Sequence, residues 1–321
     1  VLRFAIPNLV LGNVVLVKHA PNVWGSQKNI QQLFDESGFP EGVFQSLYAE
    51  VSQLESVVSH DHIRGVSLTG SERAGRSVAA LAGKYLKKCV LELGGSDAYV
   101  VLSDANVEHA VEACVQSRFI NTGQSCVAAK RWIVHKSVRS EFEKMAQEKI
   151  RDLTLGNPLD EKNRLGPLAR QDLKDQLSKQ VKDSVEGGAK VIIGGPDQES
   201  QGCYYPPTLL VDVKPGQPAF DEELFGPVAV IIEADSDDHA LELANRSRYG
   251  LGGAIFSKDK DRAEKLARED MDTGGVFVND FYKSMPALPF GGVKASGMGR
   301  ELSKLAVYEF ANVKTIAVND P

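Results

Sequence analysis

The stretch FINTGQSCVAAKR places Cys126 just after a Gly123-Gln-Ser segment, with polar Asn121, Thr122, Gln124 and Ser125 leading into it. The thiolate is the reactive form of cysteine, and helix N-termini or nearby donors favour it. Gly123 permits a tight turn that aims backbone N–H groups at one point, where they would receive an oxyanion formed at the thiol's target. Lone cysteines are more often inert and buried; the polar run before Cys126 argues the other way. In VLELGG, Glu92 is flanked by Val, Leu and Leu. Desolvation there raises a carboxyl pKa toward neutrality and suits it to take a proton from water. A carboxylate pointing to solvent from an edge strand is the plainer reading of Glu92 alone. The turn TGSERAG, Thr69 to Gly75, delivers Gly70 and Ser71 to a helix N-terminus, whose N–H groups and positive dipole end suit a phosphate. An ordinary strand-to-helix turn capped by Ser71 explains that stretch as well.

A Cys–His hydrolase is the rival chemistry. The histidines, His19, His60, His62, His109, His135 and His239, sit in strand, charged-turn or helix contexts without a flanking motif that pairs one with the thiol. The cysteines Cys89, Cys114, Cys126 and Cys203 form no C-x-x-C pair, so neither a zinc site nor a disulfide framework is expected. Their scarcity, with no visible signal peptide, fits a reducing cytoplasm. A net charge of −6 with scattered basic residues speaks against a nucleic-acid partner. No apolar run approaches the roughly 20 residues that a membrane span needs.

The elements that must position these residues alternate in type, which predicts an α/β fold with a parallel sheet. Strands are expected at NVVLVKH (13–19), RGVSLTGS (64–71), CVLELGG (89–95), DAYVVL (97–102), RWIVHKSV (131–138), KVIIGG (190–195), GGAIFS (252–257) and GGVFVN (274–279). Helices are expected at 29–38, 73–86, 106–121, 139–153, 169–188, 237–247 and 261–270, and 218–234 reads as a loop entering a strand. The tail VKTIAV reads as a lone strand, expected to pair with another subunit or with the missing N-terminal part. With 321 residues there is length for two packed domains, with a boundary near Gly94-Gly95 and a return after about Ala295. Val1 opens inside an apolar segment, so an N-terminal part is expected to be absent.

Taken together and in order, TGSERAG, VLELGG, NTGQSC, EELFGPV and PFGGVKASGMGRE resemble the aldehyde dehydrogenase superfamily over essentially the whole chain. LKKCVLELGGSD, YYPPTLL and GGVKASGMGRELS are most similar to its succinate-semialdehyde dehydrogenase branch. The resemblance implies an aldehyde dehydrogenase-like α/β fold. It would comprise part of a Rossmann-like cofactor domain at 1–94, a catalytic domain at 95–295, a return segment at 296–311 and an oligomerisation strand at 312–321. It implies that Cys126 attacks the aldehyde carbonyl and that Glu92 activates the water that hydrolyses the resulting thioester. It places Lys18 on the adenosine ribose, Gly70 and Ser71 at the pyrophosphate and Gly75 at a close helix contact. Leu93 would border the nicotinamide, with Glu223 on its ribose and Phe225 packed beside.

Departures from the family pattern carry further expectations. The Asn that completes the family's oxyanion hole would lie upstream of Val1, and loss of one such donor typically costs about 100- to 1,000-fold in rate. Pro21 stands where NAD-preferring members often carry a ribose-binding Glu, which admits NADP as well as NAD. Ile120 stands where some succinate-semialdehyde enzymes carry Arg, whereas Arg3 matches a second family arginine suited to a substrate carboxylate. An arginine on a helix surface accounts for Arg3 equally. Lys283 and Ser284 would line the same pocket. The expected partners are a small aldehyde, with succinate semialdehyde preferred, and a second copy or copies of the chain in a homodimer or homotetramer. A CoA-acylating semialdehyde dehydrogenase is the nearest alternative, against which Glu92 argues; a non-catalytic nucleotide-binding or assembly fragment is the other.

Overall fold

The structure, a computed structural model, describes residues 1–196 and 201–321. The chain divides into two compact units, one of Val1–Glu92, Ser284–Gly291 and Met298–Pro321, the other of Leu93–Lys283 and Gly292–Gly297.

In the first unit, strand β1 (Val15–Val17) pairs in parallel with β2 (Phe44–Ser46), joined by the helix Trp24–Glu36. Phe34 on that helix stacks on Phe44, ring centroids 4.3 Å apart, above Ala5, Val15 and Val17. Buried Gln27 donates to the carbonyls of Val17 and Leu47 and accepts the His19 N–H, which fixes the strand end before Lys18. Strand β3 (Gly65–Thr69) crosses by the helix Glu72–Lys84 to parallel β4 (Lys88–Glu92), with Thr69 opposite Glu92. Parallel register therefore brings the Gly70-Ser71 turn and Glu92 to the same sheet end, where open α/β sheets gather ligand-binding residues.

The second unit is built on a seven-stranded sheet. Its strands are β5 (Ala98–Val101), β6 (Arg131–His135), β7 (Lys190–Ile193), β8 (Thr208–Val211), β9 (Val228–Ala234), β11 (Gly253–Phe256) and β12 (Val276–Val278), in the order β12-β11-β5-β6-β9-β8-β7. All these neighbours are parallel except β7 and β8. A further short pair, β10 (Tyr249–Gly250) with β13 (Val293–Lys294), is antiparallel. The central strands are covered on both faces, as parallel strands require. Ala98, Val100 and Ile133 pack with Leu177, Val181, Ala240 and Ala263 from helices on one side, while Tyr99, Val101 and Trp132 pack with Val111 and Phe142 on the other.

Several elements differ from expectation. The helix expected from 139 begins at Lys136, because the His135 ring caps it by accepting the Ser137 N–H at 3.1 Å. A single-turn helix, Pro218–Asp221, precedes β9, and β2 and β8 arise where no strand was expected. Residues 284–291 join the first unit ahead of the expected return, held by Arg3 to Ser284 and by the paired backbones of Phe290 and Glu301. The VKTIAV segment, whose expected partner lies on another subunit or outside this sequence, makes no strand pairing within the described residues and leaves Val313, Ile316 and Val318 exposed.

Candidate active site

In the second unit, the loop before the thiol carries a run of left-handed backbone. The helix Val107–Phe119 passes into the turn Ile120–Gly123, where φ is 53° at Asn121, 57° at Thr122 and 72° at Gly123. Non-glycine residues resist this region, and the side chains offset the strain. Asn121 Nδ2 donates to Gln124 O at 3.0 Å, and the Thr122 hydroxyl accepts the Gly166 N–H at 3.0 Å. Gly123 has no alternative, since a Cβ there would meet the Gly226 carbonyl. Cys126 follows, half-buried and unoxidised.

Buried cations tie this loop down. The Arg118 guanidinium donates to the carbonyls of Gly123, Leu224 and Gly226, and its burial pulls its pKa down to about 9. Lys130 Nζ donates to the carbonyls of Ser125 and Cys126, both at 2.8 Å, and lies 3.3 Å from Glu223 Oε1. That carboxylate oxygen also accepts the Gly95 N–H at 3.1 Å, and its presence leaves no room for a side chain at Gly94. Leu93 is buried with its N–H on Ser296 O at 3.0 Å, and Phe225 is half-buried two residues after Glu223. Cys126, Leu93–Gly95 and the Glu223 segment thus belong to one body. Asp97, fully buried, accepts the Gly252 N–H at 3.1 Å. Burial pushes its carboxyl up to about 7, with Lys130 and Arg131 pulling it back. Ile120 is 54% exposed, and Lys283 pairs with Asp280 at 2.6 Å.

In the first unit, Glu92 is 2% exposed, and neither carboxylate oxygen has a hydrogen-bond partner. Burial, then the Glu301 carboxylate, raises its pKa to about 8 against the pull of Arg3 and Arg300. Burial also raises Glu301, which Arg3 opposes from 2.9 Å. Arg3 further donates to the Ser284 hydroxyl at 2.9 Å and lies over the Phe290 ring at 4.3 Å. Arg3, Ser284, Glu301 and Glu92 are therefore one cluster, and Arg3 is not a plain surface cation. Elsewhere in this unit, the half-buried Lys18 donates to His19 O at 3.0 Å, and exposed Pro21 opens a short 3-10 turn. The Ser71 hydroxyl accepts the Ala74 N–H at 3.3 Å as a helix cap, and Gly75 is buried. Among the described residues no group of acidic, histidine or cysteine side chains is arranged for a metal, and no helix is long and apolar enough to cross a membrane.

The residues Lys130, Arg118, Asp97 and Glu301 went unsingled in the sequence. The signal for the first and third was charge placed against buried strands, in AAKRWIV and GGSDAYVV, where ionised groups persist only with partners.

A profile described as the aldehyde dehydrogenase family matches residues 1–316. The chain is 48% identical over 316 residues to the succinate-semialdehyde dehydrogenase [NADP(+)] of Deinococcus radiodurans, covering 98% of this chain and 66% of that protein. It is 46% identical to the succinate semialdehyde dehydrogenase [NAD(P)+] of Escherichia coli, covering 98% of this chain and 68% of that protein. Its fold superposes with a TM-score of 0.96 on the succinic semialdehyde dehydrogenase from Streptococcus pyogenes in complex with NADP+, at 36% identity over 99% of this chain and 70% of that one. The chain thus spans about two thirds of the length of the curated relatives it matches.

Proposed function

The chain belongs to the aldehyde dehydrogenase family, and from that premise we propose that the complete protein oxidises succinate semialdehyde to succinate with NADP+ or NAD+. The observation that carries the reading is the clamped loop that presents a half-buried thiol in one body with Glu223. Names of the similar proteins support the substrate and the nucleotide. The absence of a carboxylate at Pro21 removes repulsion against a 2′-phosphate, which favours NADP+.

The residues present fit a nicotinamide nucleotide. Ser71 caps a helix of 13 residues whose positive end suits a pyrophosphate, Gly75 is buried without a side chain, and the Glu223 carboxylate is held out of bulk solvent for a ribose. Lys18 and Phe225 complete the expected set. When bound, the nicotinamide accepts a hydride. The Cys126 thiolate would add to the aldehyde carbon, forming a C–S bond and an oxyanion; the hydride leaves that carbon, and the product is a thioester on Cys126. Glu92, ionised, would take a proton from water as its oxygen attacks the thioester carbon, and the C–S bond breaks to return the thiolate. Arg3 and Ser284 offer a charged and a hydroxyl contact to the distal carboxylate of the substrate.

The test is product analysis with the complete protein. Succinate semialdehyde and NADP+ are expected to give NADPH and succinate in equal amounts. Formation of succinyl-CoA in place of succinate, or no nucleotide reduction by a folded protein, overturns the proposal.

A further inference from the structure

The buried ammonium beneath the thiol has no part in the chemistry above, yet it is 1% exposed and fully engaged. An ammonium has three protons to donate. Lys130 directs them at the carbonyls of Ser125 and Cys126, at 2.8 Å each, and at Glu223 Oε1, 3.3 Å away. A charge withdrawn from water persists only where its partners repay the desolvation, so this arrangement tolerates little rearrangement. The Gly95 N–H falls on the same oxygen, Oε1. Oε1 is thereby anchored from two sides, and Oε2 is the carboxylate's other acceptor. Arg118 joins the same two segments through Gly123, Leu224 and Gly226, but only by backbone carbonyls, so it fixes the loops without touching the carboxylate.

We propose that Lys130 is a positioning residue that holds the Glu223 carboxylate, and through it the nicotinamide ribose, in register with the Cys126 loop. The proposal rests on the reading of Glu223 as a ligand of the nucleotide. Lys130 acts on hydride transfer by joining the segment that holds the acceptor to the loop that holds the donor carbon, since small displacements of such pairs cost large factors in rate. Its bonds to the Ser125 and Cys126 carbonyls also hold the backbone that presents the thiol, so losing them displaces the sulfur.

Lys130→Met keeps most of the length and the apolar stem while deleting the charge. In the complete protein, the NADPH dissociation constant, read by nucleotide fluorescence, is expected to rise about tenfold or more, as for loss of a charge-assisted hydrogen bond. Lys130→Arg should recover part of that loss. Alkylation of Cys126 by iodoacetamide at pH 7 without aldehyde, followed by mass spectrometry of its peptide, should slow several-fold. An unchanged dissociation constant together with an unchanged alkylation rate overturns the proposal. The double variant Lys130→Met/Glu223→Gln separates positioning from general loosening. It should bind NADPH no more weakly than Glu223→Gln alone, and additive losses overturn the idea. If Lys130→Met does not fold, Glu223→Gln carries the test, because Lys130 then loses its carboxylate partner. The Cys126 alkylation rate without nucleotide must change in that variant, or Lys130 does not couple the two. Neither readout needs turnover. A wild-type protein that shows these effects but oxidises no aldehyde would sink the proposed function and leave the role of Lys130 standing.

Discussion

At the scale of single residues, the role proposed for Glu92 makes its protonation the control on when hydrolysis proceeds. Its carboxyl is held near 8 by burial and by Glu301, so below that pH the group is mostly neutral and cannot accept a proton. The thioester-hydrolysis rate is therefore expected to rise about tenfold per pH unit below the midpoint and to level off above about 8. Stopped-flow measurement of NADPH formation should show a burst at pH 6.5 followed by slow turnover, with the slow phase accelerating toward pH 9. Glu92→Gln should keep the burst and lose the turnover, and loss of both would remove Glu92 from the hydrolytic step. Glu301→Gln deletes the like charge that pushes Glu92 up; the midpoint must move to lower pH, and an alkaline move contradicts the assignment. Arg3 has a different signature, because its guanidinium meets Ser284 and Glu301. Arg3→Met should raise KM for succinate semialdehyde by about tenfold or more, as for one lost charge-assisted contact, and leave KM for butanal nearly unchanged. Equal rises for both aldehydes would mean that Arg3 supports the fold and does not read the carboxylate.

Elements explain why the thiol loop has the sequence it has. A helix ending at Phe119 must reverse within a few residues so that the chain can enter β6 at Arg131, and it does so through Asn121, Thr122 and Gly123 at positive φ. Gly123→Ala introduces a side chain both at disfavoured φ and against the Gly226 carbonyl. It is expected to destabilise the protein by about 2–4 kcal/mol and to slow Cys126 alkylation, both measurable by urea denaturation and mass spectrometry. A stability within error of wild type would show that the loop is more adaptable than its hydrogen bonds imply. The same turn shows what was legible in the sequence. Gly123 is the local signal, since glycine adopts that backbone freely, whereas the helix was expected to run on to Asn121 and β-branched Thr122 resists positive φ. The strands around the turn announced themselves by apolar runs. The three-residue β2 was too short to carry a period, and β8 is four residues long and starts straight after Pro206 and Pro207, whose breaker character masks it. The early start of the helix Lys136–Arg151 depended on a histidine ring acting as a cap, a role that residue type alone does not advertise. Lys130 and Glu223 lie 93 positions apart in the chain, so only the fold brings them together.

Across the whole molecule, each unit carries a carboxyl whose proton the fold retains, and this gives stability a definite pH dependence. Asp97 in the second unit is held near 7, and Glu92 in the first near 8, with Glu301 raised beside it. In the unfolded chain such groups ionise near 4. Between about pH 4 and pH 7, then, the folded protein binds more protons at Asp97 than the unfolded one does, and stability falls as pH rises through that window. The lowered carboxyls Asp104, Asp172, Asp212 and Asp237 act in the opposite sense. Their contribution is lost only as pH falls below about 4, so above pH 5 it is constant. His19, whose pKa burial lowers, adds stability as pH rises from that lowered value to its unfolded one and none beyond it, but that effect is shared by wild type and an Asp97 variant and cancels between them. Asp97→Asn mimics the protonated state, and its side-chain oxygen can still accept the Gly252 N–H. Relative to wild type, the variant is therefore expected to gain up to about 1.4 kcal/mol per pH unit between pH 5 and 7, the slope set by one retained proton, with no further gain above that. Urea midpoints at pH 5, 6, 7 and 8 measure it directly. A wild-type-minus-variant difference that stays flat over this range would mean that Asp97 is ionised in the folded protein, compensated by Lys130 and Arg131 more fully than its burial allows.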